Sequence, residues 1–445
     1  MSTLGSHVTA EVMPARERPI RTSAVVSWVL YDLANTIFSM GIVSAYFSLF
    51  VRQSVGEARA DYVYATITAI SMAIIFIVSP LLGAMTDRAP RRMPFLVVST
   101  LICVGFTLLL ARLGFYATAV FFVIANIAYQ AGLQFYDALL PEVSTEENRG
   151  RIGGIGVGIG YLGSYLAIGA GLLLGTDDLP RLFALIAIAF LIFAIPCFLF
   201  VKERGNPSPQ PINLRMAFES TRETIRTLRS SQQYPGLLRF LVGRVFYTDG
   251  INTVISIMLL YTVNVAVSTG MAEEEAEQQG QLILLTAVTF AIVGGFFWGW
   301  MTDRLGPKRA LNHVLRAWMA IFAFAAFIGI VGLPIGALYI VACTAGFALG
   351  GIWATDRPYM LRLTPPARVG EFYGLYGMVG RFSAITGPGL WAITSYILIT
   401  RGGMTPRVGQ GIGVLVLLVL VITSYVILQK VSDAPRTWTA RDLER

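Results

Sequence analysis

Residues 83–92 read GAMTDRAPRR, and residues 299–309 read GWMTDRLGPKR. Both segments share the pattern G-x-M-T-D-R and continue at once into a basic cluster. A second pair of segments repeats at nearly the same separation: residues 32–39 read DLANTIFS, and residues 249–256 read DGINTVIS. Matches at one nearly constant offset predict that the chain consists of two related halves.

The composition places this chain in the membrane. Of its 445 residues, 55% are hydrophobic and only 13% are charged, with a mean hydropathy of +0.66. Soluble domains usually carry about 25% charged residues. Apolar runs of roughly 20 residues, each long enough to cross a bilayer, recur along the chain. They are continuous rather than alternating, which predicts an all-α polytopic membrane protein instead of a barrel.

We predict twelve transmembrane helices in two pseudo-symmetric six-helix bundles. The predicted spans are 25–51, 62–85, 93–112, 116–138, 152–175, 181–201, 238–265, 281–301, 311–331, 334–356, 371–399 and 408–430. The predicted parts of the chain are an N-terminal tail (1–24), a first bundle (25–201), a linker (202–237), a second bundle (238–430) and a C-terminal tail (431–445). The basic linker also predicts a short surface helix at 214–229.

The positions of Lys and Arg predict the orientation. If both termini are cytoplasmic, most basic residues fall in cytoplasmic loops, as the positive-inside rule requires. The net charge of +8 then reflects membrane topology, and its scatter over many loops does not predict a nucleic-acid partner. We therefore expect a multi-pass protein of a bacterial inner (plasma) membrane. We expect no metal, cofactor or enzyme activity, since neither a nucleotide-binding loop nor a metal-ligand cluster is evident.

A third and weaker match relates the glycine-rich residues 150–160 to residues 370–380. Two six-span halves with the same loop polarity imply parallel repeats, related by an axis along the membrane normal. Such folds place a substrate site between the halves and expose it alternately to each side of the membrane.

The pattern G-x-x-x-D-R-x-G-R-[RK] after span 2, echoed after span 8, resembles the signature of the major facilitator superfamily. This resemblance covers the whole chain through the twelve-span plan. Pro90 replaces the expected loop glycine of the first copy and Pro307 interrupts the second, so we expect the fine geometry of both loops to differ.

Further segments resemble the vacuole-effluxer branch of that superfamily: Tyr31-Asp32-x-Ala34-Asn35, Phe135-Tyr136-x-Ala138-Leu139-Leu140-Pro141-Glu142, Arg149-Gly150-Arg151, Gly160-Tyr161-Leu162-Gly163 and Tyr247-x-Asp249-Gly250. That branch is linked in fungi to amino-acid release from the vacuole. The resemblance therefore implies transport, with efflux of an amino acid as the leading expectation.

The loops after spans 2 and 8 are predicted gates. Gly83 and Gly299 lack a Cβ, so a neighbouring helix can approach closely. Asp87 and Asp303 can cap the positive N-terminus of a helix, and the resemblance implies that this helix belongs to the opposite half. Positive-inside topology alone could also explain the arginines. The other predicted gating residues are Arg88, Arg91, Arg92, Asp137, Arg304, Lys308, Arg309, Asp356 and Arg357.

The repeated motif D-x-x-N-T-x-x-S places its four polar side chains on one helix face. A carboxylate inside the membrane must be paired or hydrated. The face therefore lines a central cavity or bonds to neighbouring helices, and both readings stay open. The residues of the two stripes are Asp32, Asn35, Thr36 and Ser39 in span 1, and Asp249, Asn252, Thr253 and Ser256 in span 7.

Other polar and aromatic residues are predicted at the same cavity. Span 4 carries three amides spaced by four residues, and two tyrosines and a tryptophan are expected to line the wall; these residues are Asn126, Gln130, Gln134, Tyr31, Tyr161 and Trp353. Arg381 in span 11 needs an anion, either an aspartate of the stripes or a substrate carboxylate. Arg244 is predicted to extend to the membrane surface as an anchor.

We predict a monomeric secondary transporter that exports a small polar or zwitterionic metabolite by rocker-switch alternating access. Protons are the expected coupling ion, carried by Asp32, Asp137 or Asp249. Two alternatives remain open: an exporter of amphipathic drugs or lysolipids, and a non-transporting membrane sensor or assembly factor.

Overall fold

The computed structural model of the protein describes residues 20–206, 209–211, 215–216, 218–219, 221–222, 234–434, 436 and 438. Most of the predicted N-terminal tail and most of the predicted C-terminal tail lie outside these residues. The predicted surface helix at 214–229 also lies largely outside them, although its three described residue pairs are helical.

Twelve long helices make up the described part of the chain, which confirms the predicted fold class. The first half contains α1 (Thr22–Val55), α2 (Glu57–Arg88), α3 (Met93–Leu108), α4 (Gly114–Asp137), α5 (Arg149–Leu174) and α6 (Leu179–Phe200). The second half contains α7 (Leu237–Ser268), α8 (Glu273–Leu305), α9 (Pro307–Val331), α10 (Gly336–Leu363), α11 (Val369–Ser395) and α12 (Pro406–Gln429). All of them except α3 are long and apolar enough to cross a membrane.

Several helix ends differ from the predicted spans, and α8 begins at Glu273 instead of at residue 281. Helix α3 ends at Leu108, because the chain turns there and Ala111 adopts a left-handed backbone with φ 58°. Its 16 residues extend about 24 Å. Helix α10 continues to Leu363, seven residues beyond the predicted end of its span. The polar residues near position 356 therefore lie inside a helix and not at its end.

The α8–α9 turn accommodates the proline that departs from the family pattern. Gly306, with φ 83°, makes the turn, and Pro307 is the first residue of α9. Proline is favoured at this position, because its fixed φ suits a helix start and the N–H that it lacks has no helical partner there. Pro307 therefore begins a helix and leaves it undistorted.

The two halves contact each other through α2 with α11 and through α5 with α8. Both contacts depend on glycine. A Cβ on Gly154 of α5 would lie 2.6 Å from the Cα of Gly299 on α8, and a Cβ on Gly83 of α2 would lie 2.8 Å from the carbonyl carbon of Gly370 on α11. These backbones therefore pack directly on each other at the end of the bundle that carries Asp87 and Asp303, here called the motif end.

Helix α1 changes its winding beside the centre of the bundle. Residues Ser39–Tyr46 form a π-helix between two α-helical parts. The hydroxyl of Tyr46 donates to the carbonyl of Ala167 on α5 at 2.9 Å, which holds this segment against the neighbouring helix. Such π segments occur frequently at functional sites.

Candidate functional site

A cavity of about 410 Å³ lies between the two halves. Five charged residues contribute to its wall, namely Asp32, Asp137, Arg244, Arg357 and Arg381. The other wall residues are Asn35, Thr36, Ser39, Met40, Met72, Tyr129, Gln130, Leu133, Gln134, Val157, Gly160, Tyr161, Ser164, Thr248, Asn252, Trp353, Tyr373, Tyr376, Gly377, Gly380 and Ala384. The wall therefore combines a charged and amide-rich part with apolar and aromatic surface.

The polar stripe of α1 faces this cavity along its whole length. Asp32, Asn35, Thr36 and Ser39 all belong to the wall, as expected for residues on one helix face. Thr36 and Ser39 donate their hydroxyl hydrogens to carbonyls of α1 itself. The amide of Asn35 is buried, and neither its nitrogen nor its oxygen has a hydrogen-bond partner in the described part of the chain. It is free to bond to a molecule in the cavity.

The corresponding stripe of α7 does not face the cavity as a unit, which corrects the symmetric prediction. Only Asn252 lines the wall. Asp249 accepts a hydrogen bond from Thr386 of α11 at 2.8 Å, and Thr253 is buried beside the same helix. Ser256 is exposed and donates to the carbonyl of Asn252. The α7 stripe therefore divides between the cavity and the α7–α11 contact.

The three amides of α4 do not all line the cavity. Gln130 and Gln134 line the cavity. Asn126 lies outside it and donates to the hydroxyl of Ser71 on α2 at 2.7 Å, so its predicted place in the wall is wrong. The reason is geometric, since residues spaced by four drift around a helix with 3.6 residues per turn.

An ion-pair cluster joins the halves at the charged part of the wall. Arg357 of α10 lies 3.2 Å from Asp137 of α4 and 3.6 Å from Asp32 of α1. All three side chains are at most 10% exposed. An aspartate of the stripes was one of the anions left open for Arg381, but Asp32 instead contacts Arg357, because α10 extends beyond that residue.

Arg381 of α11 bonds to the opposite half without a carboxylate. Its Nη1 donates to the hydroxyl of Ser79 at 2.6 Å, and its Nη2 donates to the carbonyl of Gln130 at 2.7 Å. Among the described residues no acid forms a salt bridge with it, and its Nε has no hydrogen-bond partner. A positive charge therefore borders the cavity without a salt-bridge partner among the described residues.

A second buried ion pair lies within the second half. Arg244 of α7 contacts Asp356 of α10 at 3.3 Å, and the hydroxyl of Tyr247 donates to the same carboxylate at 3.0 Å. The guanidinium also stacks 3.5 Å from the centre of the Tyr376 ring. Arg244 is 3% exposed, so its predicted extension to the surface is wrong. Asp356 bonds within its own half, so these contacts give it no place in a gate between the halves.

Two of the three predicted aromatic wall residues lie in the wall, namely Tyr161 and Trp353. Tyr31 is fully buried instead. Its hydroxyl lies 2.7 Å from that of Thr100, and its ring stacks on Tyr136 with centroids 5.1 Å apart. It packs inside the first half because its side chain leaves α1 about 100° away from that of Asp32, beside the polar stripe and not within it.

At the motif end, each predicted acid caps a helix of the other half. Asp87 accepts hydrogen bonds from the backbone N–H groups of Gly370 and Glu371, at 2.8 and 2.7 Å, at the start of α11. Asp303 accepts from the N–H groups of Gly150 and Arg151, at 2.7 and 2.9 Å, at the start of α5. Helix N-termini carry partial positive charge and four unbonded N–H groups, so both contacts are favourable.

The basic residues of the motif end differ in their surroundings. Arg92 is buried and donates to Asp87 at 2.6 Å. Arg304 stacks on Trp300, with its guanidinium carbon 4.1 Å from the ring centre. Lys308 donates its Nζ to the carbonyl of Gln429 at 2.9 Å. The remaining three are partly or fully exposed, namely Arg88, Arg91 and Arg309.

Two family profiles match the sequence of this chain. A family profile described as "Vacuole effluxer Atg22 like" matches residues 142–434, which is more than half of the chain. The chain belongs to this family. A profile described as "MFS_1 like family" matches residues 37–242. The protein is therefore a major facilitator transporter of the Atg22-like branch, and its family consists of transporters, not enzymes.

Relatives of known sequence support this assignment. The chain is 26% identical over 393 residues to the uncharacterized MFS-type transporter YxiO of Bacillus subtilis. The alignment covers 83% of this chain and 88% of the relative. It is 24% identical over 299 residues to Autophagy-related protein 22 of Yarrowia lipolytica, which covers 59% of this chain. That match spans 49% of the fungal protein, about half of its length.

Solved structures show the same fold. The human organic anion transporter MFSD10 (TETRAN) superimposes with a TM-score of 0.68 at 17% identity, covering 93% of this chain and all of that one. A bacterial homologue of the iron transporter ferroportin superimposes with a TM-score of 0.66 at 16% identity, covering 92% of this chain and 98% of that one. At these identities the likeness shows the fold alone.

Two acids at the motif end of this Atg22-like transporter escaped sequence reasoning. Glu203, three residues after α6, accepts from the N–H groups of Arg92 and Met93 at 2.6 and 3.0 Å and caps α3. Asp433, four residues after α12, accepts from the N–H of Lys308 at 3.1 Å and caps α9. The sequence feature that could have indicated both residues is an acid three or four residues after the last helix of each half.

The surroundings of Glu203 change the pKa of its carboxyl group. Burial raises the pKa of the Glu203 carboxyl above its ordinary value, while the N–H groups that it accepts from lower it. The same linker also bonds to the last turn of α2, since the amide of Asn206 donates to the carbonyl of Asp87 at 3.0 Å. The chain between the halves therefore contacts the end of α2 that caps α11.

Proposed function

We propose that this Atg22-like protein is a secondary active exporter of a small zwitterionic metabolite of amino-acid type, working by rocker-switch alternating access. The observation that carries the proposal is the separation of charge in the cavity wall. Asp32 and Asp137 share one arginine, Arg357, so this cluster holds one negative charge in excess. Arg381 borders the same cavity as a cation without a described carboxylate partner.

A zwitterion complements both ends of this wall. Its carboxylate can accept hydrogen bonds from the Arg381 guanidinium, whose planar fork matches a carboxylate. Its ammonium can approach Asp32 and relieve the excess negative charge there. The unpartnered amide of Asn35 can then donate to or accept from the same molecule. Each of these groups is buried, so a hydrogen bond that it does not make costs free energy. A ligand that supplies this bond therefore binds more tightly.

The contacts between the halves support alternating access. The backbone contacts of Gly83 with Gly370 and of Gly154 with Gly299 close the motif end, and the two aspartate caps cross the same interface. We assign the motif end to the cytoplasm because of its basic residues. Breaking these contacts while the opposite ends of the halves approach each other would expose the cavity to the cytoplasm.

The apolar part of the wall favours a second candidate, an exporter of amphipathic molecules. Met40, Met72, Leu133 and Trp353 provide a surface that an apolar ligand could cover. The two candidates differ in their dependence on a carboxylate, because only a zwitterion needs a counter-charge at Arg381. Binding of amino acids without flux would instead favour the sensor alternative.

Replacing Arg381 by alanine tests the zwitterion proposal. Hydrogen bonds to charged groups contribute about 1.5–3 kcal/mol, so we expect the apparent KM for a transported amino acid to rise roughly tenfold to hundredfold. The measurement is uptake of a panel of radiolabelled neutral amino acids by proteoliposomes that contain the purified protein.

The matched control is Arg112→Ala, since Arg112 is an exposed arginine in the α3–α4 loop. Methyl esters of the same amino acids lack the carboxylate, and their transport should be insensitive to Arg381→Ala. An equal loss for acids and esters in the folded variant would assign Arg381 to packing between the halves and contradict a carboxylate site.

A further inference from the structure

We propose that Asp249, together with Thr386 of α11, forms a proton-binding site that is separate from the substrate cavity. This inference deepens the proposed function by naming the residue that carries the coupling ion. It also assigns different tasks to the two copies of the repeated motif. Asp32 belongs to an ion-pair cluster, whereas the equivalent Asp249 holds a proton.

The position of Asp249 is the first step. Its side chain is buried between α7 and α11, and it is absent from the cavity wall although its neighbours Thr248 and Asn252 belong to that wall. The hydroxyl of Thr386 lies 2.8 Å from its Oδ1 and 3.1 Å from the carbonyl of Phe382. The carboxyl group therefore adjoins the cavity but turns away from it.

Glycine brings α11 against this carboxyl group. A Cβ on Gly387 would lie 2.9 Å from the carbonyl oxygen of Asp249 and would also collide with the hydroxyl of Thr253. That hydroxyl is buried and has no hydrogen-bond partner in the described part of the chain. The site is therefore a tight contact between two helices, lined with hydroxyl groups.

The charges around Asp249 are the second step. Asp32 and Asp137 contact Arg357, and Asp356 contacts Arg244. Within the described residues, Asp249 has no salt-bridge partner. Each of these other three acids contacts an arginine, so Asp249 differs from all of them.

The charged groups nearest in sequence are engaged elsewhere. On α7, Arg244 pairs with Asp356. On α11, Arg381 donates to Ser79 and Gln130 of the opposite half.

In the described part of the chain, the other packed helices supply no salt-bridge partner here. Gly250, next to Asp249, lies beside Phe322 of α9 and both Leu417 and Val421 of α12. The titratable Tyr247 of α7 bonds to the carboxylate of Asp356 and is therefore occupied. Among the described residues, the groups that bond to the Asp249 carboxyl are hydroxyls.

An ionised carboxylate is energetically unfavourable in such surroundings. Burying an ionised acid without a counter-charge costs several kcal/mol, even after water and nearby dipoles have relaxed around it. One proton removes this charge, and the resulting neutral carboxyl group can keep the hydrogen bond from Thr386. Asp249 thus gains from binding a proton and, unlike those three acids, has no salt bridge among the described residues that would favour its charged form.

A proton fits this site better than a metal cation. Hard cations take six or more oxygen ligands, and sodium sites in transporters use the free carbonyls of unwound helices. Helix α7 is continuous from Leu237 to Ser268, so its carbonyls stay within the helix. The carboxyl group of Asp249 has the hydroxyls of Thr386 and Ser383 beside it, and the Ser383 hydroxyl donates to the carbonyl of Val245 at 3.2 Å.

The location suggests how proton binding would act on transport. Helix α11 contributes Thr386 to this site and Arg381 to the cavity, and its first N–H groups are capped by Asp87. Loss of the proton would place a charge at the α7–α11 contact and favour a different packing of α11. The same helix would then carry the change to the substrate site and to the motif end.

The test uses infrared spectroscopy of the full-length protein in lipid vesicles, without substrate, over a pH titration. We expect a C=O stretching band of a protonated carboxyl group that disappears in Asp249→Asn. The band should remain in Asp61→Asn, a matched change of an exposed aspartate at the other end of α2. Persistence of the complete band in Asp249→Asn would overturn the proposal.

A second variant keeps the test decisive if Asp249→Asn does not fold. Thr386→Val retains the carboxyl group but removes its hydrogen-bond donor, so the band should shift to higher frequency. An unshifted band would overturn the proposal. Loss of the band when sodium chloride replaces potassium chloride would overturn it in favour of a sodium site.

This measurement needs no substrate, so its outcome is independent of whether amino acids are transported. The proposed function fails separately, through the absence of flux in the proteoliposome measurement.

Discussion

Arg357→Met is expected to destabilise the folded protein by about 3–5 kcal/mol, the range found when one partner of a buried ion pair is removed. The substitution leaves Asp32 and Asp137 in the cavity wall without the arginine that both of them contact. Methionine is of similar length and apolar, so the change removes the charge while leaving most of the packing. The measurement is thermal unfolding of the purified protein in detergent, followed by intrinsic fluorescence.

The rescue experiment separates charge from shape. The triple variant Arg357→Met, Asp32→Asn, Asp137→Asn restores neutrality, and we expect it to recover most of the lost stability. It should nevertheless fail to transport amino acids, since the proposed contact for the ammonium is absent. The matched control is Arg362→Met, because Arg362 is more exposed and lies near Glu146 at the motif end. Equal losses in Arg357→Met and in this control would mean that the central cluster contributes no special stabilisation.

The sequence predicted the architecture because the membrane leaves few alternatives. Backbone groups in hydrocarbon must bond within the helix, so apolar runs of the right length become spans almost without regard to their neighbours. The error at α10 shows the limit of this reasoning. Residues 357–363 include two arginines, so a hydropathy pattern ends the span there, yet Arg357 is buried by its contacts with acids of the other half.

The candidate site was less predictable, because helix periodicity gives a face without giving the neighbour that it contacts. The α1 stripe faces the cavity, and the identical spacing in α7 divides between the cavity and α11. Sequence alone could not show that Arg381 would bond to Ser79, since these residues lie 302 positions apart. The caps at the motif end were easier to predict, because an acid can cap the N-terminus of a helix and the family resemblance implied that this helix belongs to the other half.

The helix cap at Asp87 supports the remaining prediction, which concerns the closed motif end. Its carboxylate accepts two N–H groups of α11 and one N–H group of Arg92. Hydrogen bonds to charged groups contribute about 1.5–3 kcal/mol each. We therefore expect Asp87→Ala to raise the population of molecules with an open motif end by at least tenfold. The loss of one such bond already suffices for that change.

Cysteine accessibility measures this opening directly. Thr86 is 2% exposed and lies at the contact with Gly370, so Thr86→Cys provides a reporter of similar size. In a background without the native cysteines, Asp87→Ala should increase the rate of reaction with a membrane-impermeant maleimide at least tenfold.

The matched control is Asp178→Ala, which removes a helix cap that lies within one half. Asp178 accepts from the N–H of Arg181 at the start of α6 at 3.1 Å, so its loss costs a similar hydrogen bond without crossing the interface. The reporter should react at the wild-type rate in this variant. If Asp87→Ala also reacts at the wild-type rate, the glycine contacts of Gly83 and Gly154 hold the motif end closed by themselves, and the aspartate cap does not act as a gate.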